Sequence, residues 1–158
     1  MLRDVRRFAV FQLFLAWQGG FFFYAAVVVP TGTELLGNAV EQGRITQAVT
    51  PWLNLLGGLW HAAMAWDALA EPKPRKLRLG LLLLSFLGWV ALLVLHPQLA
   101  AKIGEAGIAK ADRPGFLGAH AAYLWISTGH WLLSLVQAWV CLRVWGGKPG
   151  MKNSLGKD

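Results

Sequence analysis

The sequence predicts an all-α membrane protein in which four transmembrane helices form an up-and-down bundle. Hydrophobic residues make up 56% of the 158 positions and charged residues only 15%, whereas an ordinary soluble domain carries about 25% charged residues. The mean hydropathy is positive, at +0.45. Four long apolar stretches alternate with more polar segments, and each stretch is long enough to cross a hydrocarbon core of about 30 Å. We therefore expect a single membrane domain over residues 1–158.

The first two spans are expected at about 8–30 and 51–70. The first follows a short basic N-terminus and is longer than the apolar part of a signal peptide. No small-residue cleavage motif ends it, so we expect it to be retained. Residues 31–50 mix charged and apolar side chains, which predicts a short interfacial helix or a loop.

The other two spans are expected at about 79–96 and 116–145. A basic turn at 71–78 precedes the third span, and Pro97 is expected to end it because proline cannot donate a hydrogen bond within a helix. Residues 100–115 are polar enough to lie outside the lipid.

The basic residues indicate the orientation of the chain. Eleven of the fifteen Lys and Arg residues lie near the two termini or in the turn at 71–78. The positive-inside rule then predicts a multi-pass protein, of the bacterial inner membrane, with both termini cytoplasmic. Basic residues at the ends of apolar segments are typical of membrane topology, so no nucleic acid is expected as a partner. The expected partners are the lipid bilayer and other membrane-protein subunits.

The fourth span carries polar side chains at alternating spacings of three and four residues, which places them on one face of a helix. They are His120, Tyr123, Ser127, His130, Ser134, Gln137 and Cys141. Polar side chains are costly in lipid unless they face a partner or a cavity. The pattern therefore predicts that this face points into the bundle.

Two histidines are expected at the same depth in the membrane. His61 lies roughly 15 Å along the second span and His130 roughly 18 Å along the fourth, at a rise of about 1.5 Å per residue. These spans are diagonal in an up-and-down bundle, so the pair is a candidate axial ligand set for haem b or another metal. The polar side chains expected around that site are Asn54, Tyr123, Ser127 and Ser134.

Two glycines beside His61, Gly57 and Gly58, would leave room for a macrocycle, but such glycines are also typical of tightly packed membrane helices. The alternative is therefore that the two histidines bind no cofactor. They would then hydrogen-bond to Ser127, to Asn54 or to backbone carbonyls and make the bundle rigid.

A second pair of histidines, His96 and His120, is expected at the outer membrane face. A copper or zinc ion there would need a third ligand, for which Glu105 and Asp112 are candidates. The alternative is that both side chains are amphipathic anchors at the level of the lipid headgroups.

Catalytic chemistry has little support in the sequence. Asp67 is near the cytoplasmic end of the second span, so no buried Asp or Glu is expected within a span. Nucleophile–base motifs, phosphate-binding loops and dinucleotide fingerprints are absent from the sequence. Cys141 is interpreted as a small packing residue. No catalytic residue is assigned, and we expect a protein that is not an enzyme.

Several short motifs carry a family resemblance. They are Gly19-Gly-Phe-Phe-Phe-Tyr24, Val29-Pro30, Gln42-Gly43-Arg44, Thr50-Pro51-Trp52-Leu53-Asn54 and Phe116-Leu-Gly-Ala-His120. Together they resemble the transmembrane-protein-205-like family of four-span membrane proteins, which implies the fold and no particular activity.

A more distant resemblance is to four-span proteins of the copper-resistance D type and to the HemJ-type protoporphyrinogen oxidase. It is carried by Trp17-Gln-Gly-Gly-Phe-Phe-Phe23. The oxidase has a histidine in its first span and this chain has none there, so the resemblance does not extend to that activity.

Three functional hypotheses follow. The first is a small subunit or binding protein of a membrane redox complex, with haem b or a metal between His61 and His130. The second is a structural or assembly subunit without a cofactor. The third is a small-solute transporter with Gln12, Gln18 and Asn54 along its path, although the chain lacks the internal repeats typical of transporters.

Overall fold

The computed structural model describes residues 1–71, 75–104, 107–109 and 111–146. The predicted all-α class is confirmed, because the regular structure of these residues is helical apart from one bridge between Gly104 and Gly107. The elements are α1 (Leu2–Phe23), a π-helical turn (Tyr24–Val28), α2 (Val29–Leu36), α3 (Ala39–Ala70), α4 (Arg75–Ala100) and α5 (Arg113–Gly146).

The first three elements follow one another without a break and form a helical rod over residues 2–36. In the π-helical turn, the buried Tyr24 donates a hydrogen bond from its hydroxyl to Thr46 Oγ1 at 2.8 Å. The rod ends at Gly37, whose positive φ of 59° suits a residue without a Cβ atom. Asn38 then caps α3 by accepting a hydrogen bond from the Val40 amide at 2.9 Å.

All four long helical segments extend beyond the spans expected from the sequence. Residues 31–50 were expected to be a short helix or a loop. Instead, residues 31–36 end α2 and residues 39–50 form about the first three turns of α3, which contains Pro51 in its interior. The expectation that Pro97 ends the third helix was also wrong, because α4 continues to Ala100. Each proline removes a single backbone donor, and the hydrogen-bond ladder continues on both sides of it.

The helices pack mainly with their neighbours in sequence. Contacts join α1 to α3, α3 to α4 and α4 to α5, while α1 and α5 meet at few points. The backbones of α3 and α5 do not come close to each other, so these helices lie diagonally across the bundle, as expected for the second and fourth helical segments, and only their side chains meet. The diagonal arrangement brings the polar faces of α3 and α5 toward the same central axis.

Two of the described helical segments are long and apolar enough to cross a membrane, namely the rod over residues 2–36 and α4. The bundle buries many polar side chains and exposes many apolar ones. The largest fully buried side chains are Trp60, Arg78, Gln137, Asp67, Cys141, Ser85 and Ser134. Many Leu, Val, Phe and Trp side chains are exposed, so the outer surface is largely apolar, while the interior combines polar groups with an apolar cluster that includes Trp17, Trp60 and Met64.

Candidate functional site: the polar core

The polar face of the last helix lies in the bundle, as predicted. The buried residues of α5 are Ser127, His130, Ser134, Gln137 and Cys141. All of them belong to the predicted face. Its outer end departs from the prediction, since Tyr123 is only half-buried and His120 is exposed.

The two central histidines meet across the bundle axis. The ring centroids of His61 and His130 are 5.3 Å apart and the ring planes differ by 11°. The sequence placed them at equal depth but did not determine how either helix is rotated. Both side chains are buried, and their stacked rings connect the diagonal helices α3 and α5.

The hydrogen bonds of His61 define its tautomer. Its Nδ1 lies 2.7 Å from the carbonyl oxygen of Gly57, one turn earlier, and a carbonyl can only accept. The hydrogen is therefore on Nδ1 of the neutral ring. Its Nε2, 3.0 Å from Ser85 Oγ, then accepts the hydrogen of the Ser85 hydroxyl, which ties α3 to α4.

His130 is bonded differently. Its Nε2 is buried and has no hydrogen-bond partner among the described residues, and the residue is only 4% exposed. Its ring packs against Trp17 of α1 at a centroid distance of 4.8 Å. The indoles of Trp17 and Trp60 are stacked on each other at 5.4 Å, so aromatic rings from α1 and α3 close this side of the histidine pair.

Glycines on α3 admit the indole rings rather than a macrocycle. A Cβ atom on Gly57 would lie 3.0 Å from Trp17 Nε1, and one on Gly58 would lie 2.8 Å from Trp89 Cζ2. The Trp89 indole also donates to the carbonyl of Asn54 at 2.9 Å. The space beside His61 is therefore occupied by tryptophan side chains from the two neighbouring helices.

The histidine pair does not fit a haem as it is arranged. An axial ligand needs a ring nitrogen directed at the iron, and both ring nitrogens of His61 are engaged, with Gly57 and Ser85. The two rings are stacked, and the indoles of Trp17 and Trp89 fill the adjacent space.

The other polar residues predicted near the histidines join helices or bond within their own helix. Ser134 Oγ lies 3.0 Å from Gln18 Oε1 and donates across to α1. Ser127 instead donates to the carbonyl of Tyr123, one turn earlier. The expected hydrogen-bond partners of the histidines were Ser127, Asn54 and backbone carbonyls. His61 bonds to one backbone carbonyl, that of Gly57, and to Ser85, which was not predicted.

The outer histidines do not form a joint site among the described contacts. His120 is exposed and stacks on Phe116 at 5.6 Å, whereas His96 is half-buried. Glu105, one candidate third ligand, lies outside the described residues. Within the part of the chain that the structure describes, no group of three or more His, Cys, Asp or Glu side chains is placed to hold a metal ion.

A buried cluster of charges at the other end of the bundle was missed. Asp67 is completely buried, so the expectation of no buried acid was wrong. Its carboxylate accepts from Arg6 Nε at 2.7 Å, from Arg78 Nη2 and from Trp145 Nε1 at 3.1 Å. Two guanidinium groups compensate the charge, which is the condition for burying a carboxylate.

This charged cluster joins every long helical segment. Arg6 comes from α1, Asp67 from α3, Arg78 from α4 and Trp145 from α5. Glu71 accepts further hydrogen bonds from Arg6 at 2.8 Å and from Arg7 at 2.9 Å. The sequence does show an acid, Asp67, within a span and arginines near the ends of other spans. It does not show which of them pair, because Arg6 and Arg78 are 61 and 11 positions from Asp67.

Searches of the chain against family models, characterised proteins and solved structures found no match.

Cys141 links the charged cluster to the core. Its Sγ lies 3.6 Å from Arg78 Nη2 and 3.8 Å from Met64 Sδ, and the side chain is buried. One turn earlier on α5, the side-chain amide of Gln137 donates to the carbonyl of Leu81 on α4 at 2.6 Å. The polar core therefore acts mainly as a set of interhelical hydrogen bonds and ion pairs that define how the helices pack.

Proposed function

We propose that this chain is a four-span integral protein of the bacterial inner membrane with both termini in the cytoplasm. We further propose that it acts as a structural or assembly subunit of a larger membrane complex. The observation that carries the proposal is the apolar outer surface of the bundle, on which many large Leu, Val, Phe and Trp side chains are exposed while Asp67, Arg78 and Gln137 are buried. Such a surface is costly in water and suited to lipid or to neighbouring helices.

The same pattern supports spans at α3 and α5, which are not among the two described segments that are apolar enough to cross a membrane by composition alone. On α3 the buried residues include His61 and Asp67, while the exposed large residues include Trp52, Leu55, Leu59, Trp66 and Leu69. On α5 the buried residues are the polar face, and the exposed ones include Leu124, Leu132 and Val136. Lipid would contact only the apolar outer faces of these helices.

A role as a subunit is supported by the position of Trp125. It is 75% exposed and lies five residues before His130, so the two are within roughly 7.5 Å along the helix axis. Tryptophans that anchor a protein to lipid headgroups lie near the ends of spans. With His130 at the membrane midplane, Trp125 lies about halfway between the midplane and the edge of a hydrocarbon core about 30 Å thick. Packing against a helix of a partner subunit would account for a tryptophan exposed at this depth.

The alternative, a redox subunit with haem or a metal at the histidine pair, is favoured by one observation. The Nε2 atom of His130 is buried without a partner among the described residues, and a buried polar atom of this kind usually has one. Binding at His130 would require Ser85 to release His61 or a different second ligand to be used.

The four-span topology can be tested by labelling single cysteines in a Cys141→Ser background with a membrane-impermeant maleimide. Glu34→Cys and Lys76→Cys both lie at exposed positions, beyond the first and second proposed spans. We expect Glu34→Cys to be labelled from outside intact cells and Lys76→Cys only after the membrane is opened. If α3 does not cross, both positions are labelled from the same side, and the four-span proposal is wrong.

A further inference from the structure

An apolar groove runs between α1 and α5, the two helices that meet at few points. Its walls include Val10, Phe11 and Phe14 on α1, and Ala138, Leu142 and Trp145 on α5. The enclosed volume in this groove is about 10 Å³, which is close to the space that one water molecule needs. The groove is therefore a shallow apolar depression, and a hydrocarbon chain can lie only along its surface.

The guanidinium group of Arg7 lies at one end of this groove. It packs over the Trp145 ring at 5.7 Å, and its Nη2 donates to Glu71 Oε1 at 2.9 Å. Its Nη1 reaches only the carbonyl of Trp145, at 3.5 Å, and its Nε is buried without a partner among the described residues. Because the side chain as a whole is 21% exposed, an anion at the mouth of the groove can approach the guanidinium group from outside.

The surrounding charges favour an anion at this end of the bundle. The nearby acids Asp67 and Glu71 already accept hydrogen bonds from arginines. Further basic side chains at the same ends of the helices are exposed, namely Arg3, Arg75, Lys76 and Arg143. Basic pockets at the cytoplasmic ends of membrane helices typically bind the headgroups of anionic lipids.

We propose that the groove between α1 and α5 binds one anionic phospholipid. Its phosphate interacts with Arg7, and one acyl chain lies along Phe11, Phe14 and Leu142. This inference rests on the proposed function, because it requires the groove to face the hydrocarbon layer. A cationic group directly beside an apolar groove matches an amphiphile better than it matches a purely apolar helix.

The test is native mass spectrometry of the full chain in detergent, titrated with phosphatidylglycerol or with phosphatidylcholine of the same acyl chains. We expect one phosphatidylglycerol to bind more tightly than phosphatidylcholine. Arg7→Gln should weaken phosphatidylglycerol binding about fivefold, the effect expected for one basic residue near a membrane surface. Glu71 keeps Arg6 as its partner in this variant. Arg113→Gln, at an exposed position at the other end, should leave binding unchanged.

A second pair of variants tests the groove itself. Ala138→Phe should abolish binding of both lipids because the new ring fills the groove, while Ala62→Phe, at an exposed position on α3, should have no effect.

Equal binding of the two lipids, or binding that neither Arg7→Gln nor Ala138→Phe changes, overturns the inference. A dimer that binds no lipid and is disrupted by Ala138→Phe would assign the groove to a second copy of the chain. Cysteine labelling at positions 34 and 76 reports on the spans separately, so the proposed function can stand when this inference fails.

Discussion

Arg78 donates a hydrogen bond to Asp67 inside the bundle. The two residues are 11 positions apart and lie on the consecutive helices α3 and α4. The side chain of Arg78 is 1% exposed and that of Asp67 is not exposed at all. Arg6 contacts the other carboxylate oxygen of Asp67. The single acid is therefore shared by two bases, and the turn between α3 and α4 is closed by a buried ion pair.

We expect Asp67→Ala to destabilise the protein by about 3–5 kcal/mol, because it leaves two buried guanidinium groups without their counter-charge. The measurement is the unfolding free energy in detergent. Glu41→Ala is the matched control, since Glu41 pairs with Arg44 at the surface and such pairs contribute about 0–1 kcal/mol. Equal losses in the two variants would mean that the buried cluster contributes no more than a surface pair.

Ser85→Ala should cost about 1–3 kcal/mol, because Nε2 of His61 would remain buried without a donor. The comparison is with Thr128→Ala, whose hydroxyl is exposed and bonds only to the carbonyl of Leu124 in its own helix. That variant should change stability by less than about 0.5 kcal/mol. If Ser85→Ala is equally mild, the hydrogen bond between α3 and α4 is not a significant part of the packing.

Gly58→Ala should destabilise the bundle by about 1–3 kcal/mol, because the new methyl group overlaps the Trp89 ring. At Gly129 a Cβ atom would meet nothing within 4 Å, so Gly129→Ala should be neutral or stabilising by up to about 1 kcal/mol. Thermal unfolding of the two variants in one detergent tests the difference. The opposite order would show that Trp89 does not pack on α3.

The visible absorption spectrum of the gently purified protein is expected to lack a Soret band, in both the oxidised and the dithionite-reduced state. The reason is that Ser85 and Gly57 engage both ring nitrogens of His61. Elemental analysis for iron, copper and zinc accompanies the spectrum. A Soret band that disappears in His61→Ala would establish the redox alternative and require a rearranged histidine pair.

Trp125→Ala should weaken co-purification of the chain with partner subunits after mild detergent extraction, because it removes a large exposed ring. Trp52→Ala is the control, since Trp52 is also exposed, at 68%, but lies at the start of the expected second span. Native gels report the size of the complex. A wild-type chain that migrates alone would count against a role as a subunit.

Much of the fold was predictable because the apolar stretches are long and because the polar residues of α5 recur on one face. The spacing of Ser127, His130, Ser134 and Gln137 correctly identified the inner face of α5. The same reasoning placed His61 and His130 at one depth, and their rings do meet. The all-α class followed from the same apolar stretches.

The remaining features depend on contacts that a single helix pattern does not contain. The spacing of polar residues indicates which face of α5 is buried, but nothing in it indicates that Ser85 of α4 reaches His61 of α3. The burial of Asp67 depends on Arg6, 61 positions earlier, and on the rotation of α1. His120 belongs to the polar pattern of α5 but lies beyond the packed part of the bundle, where that pattern no longer implies burial.

The order of residues along the chain has a consequence for synthesis in the proposed membrane setting. Arg6 is made 61 residues before Asp67, so a cationic partner is present when the acid enters the membrane. At about 5–20 residues per second, Arg78 follows within about two seconds. Trp145, 78 positions after Asp67, completes the carboxylate's hydrogen bonds only when the last helix is made. The nascent chain therefore never has to insert this acid alone.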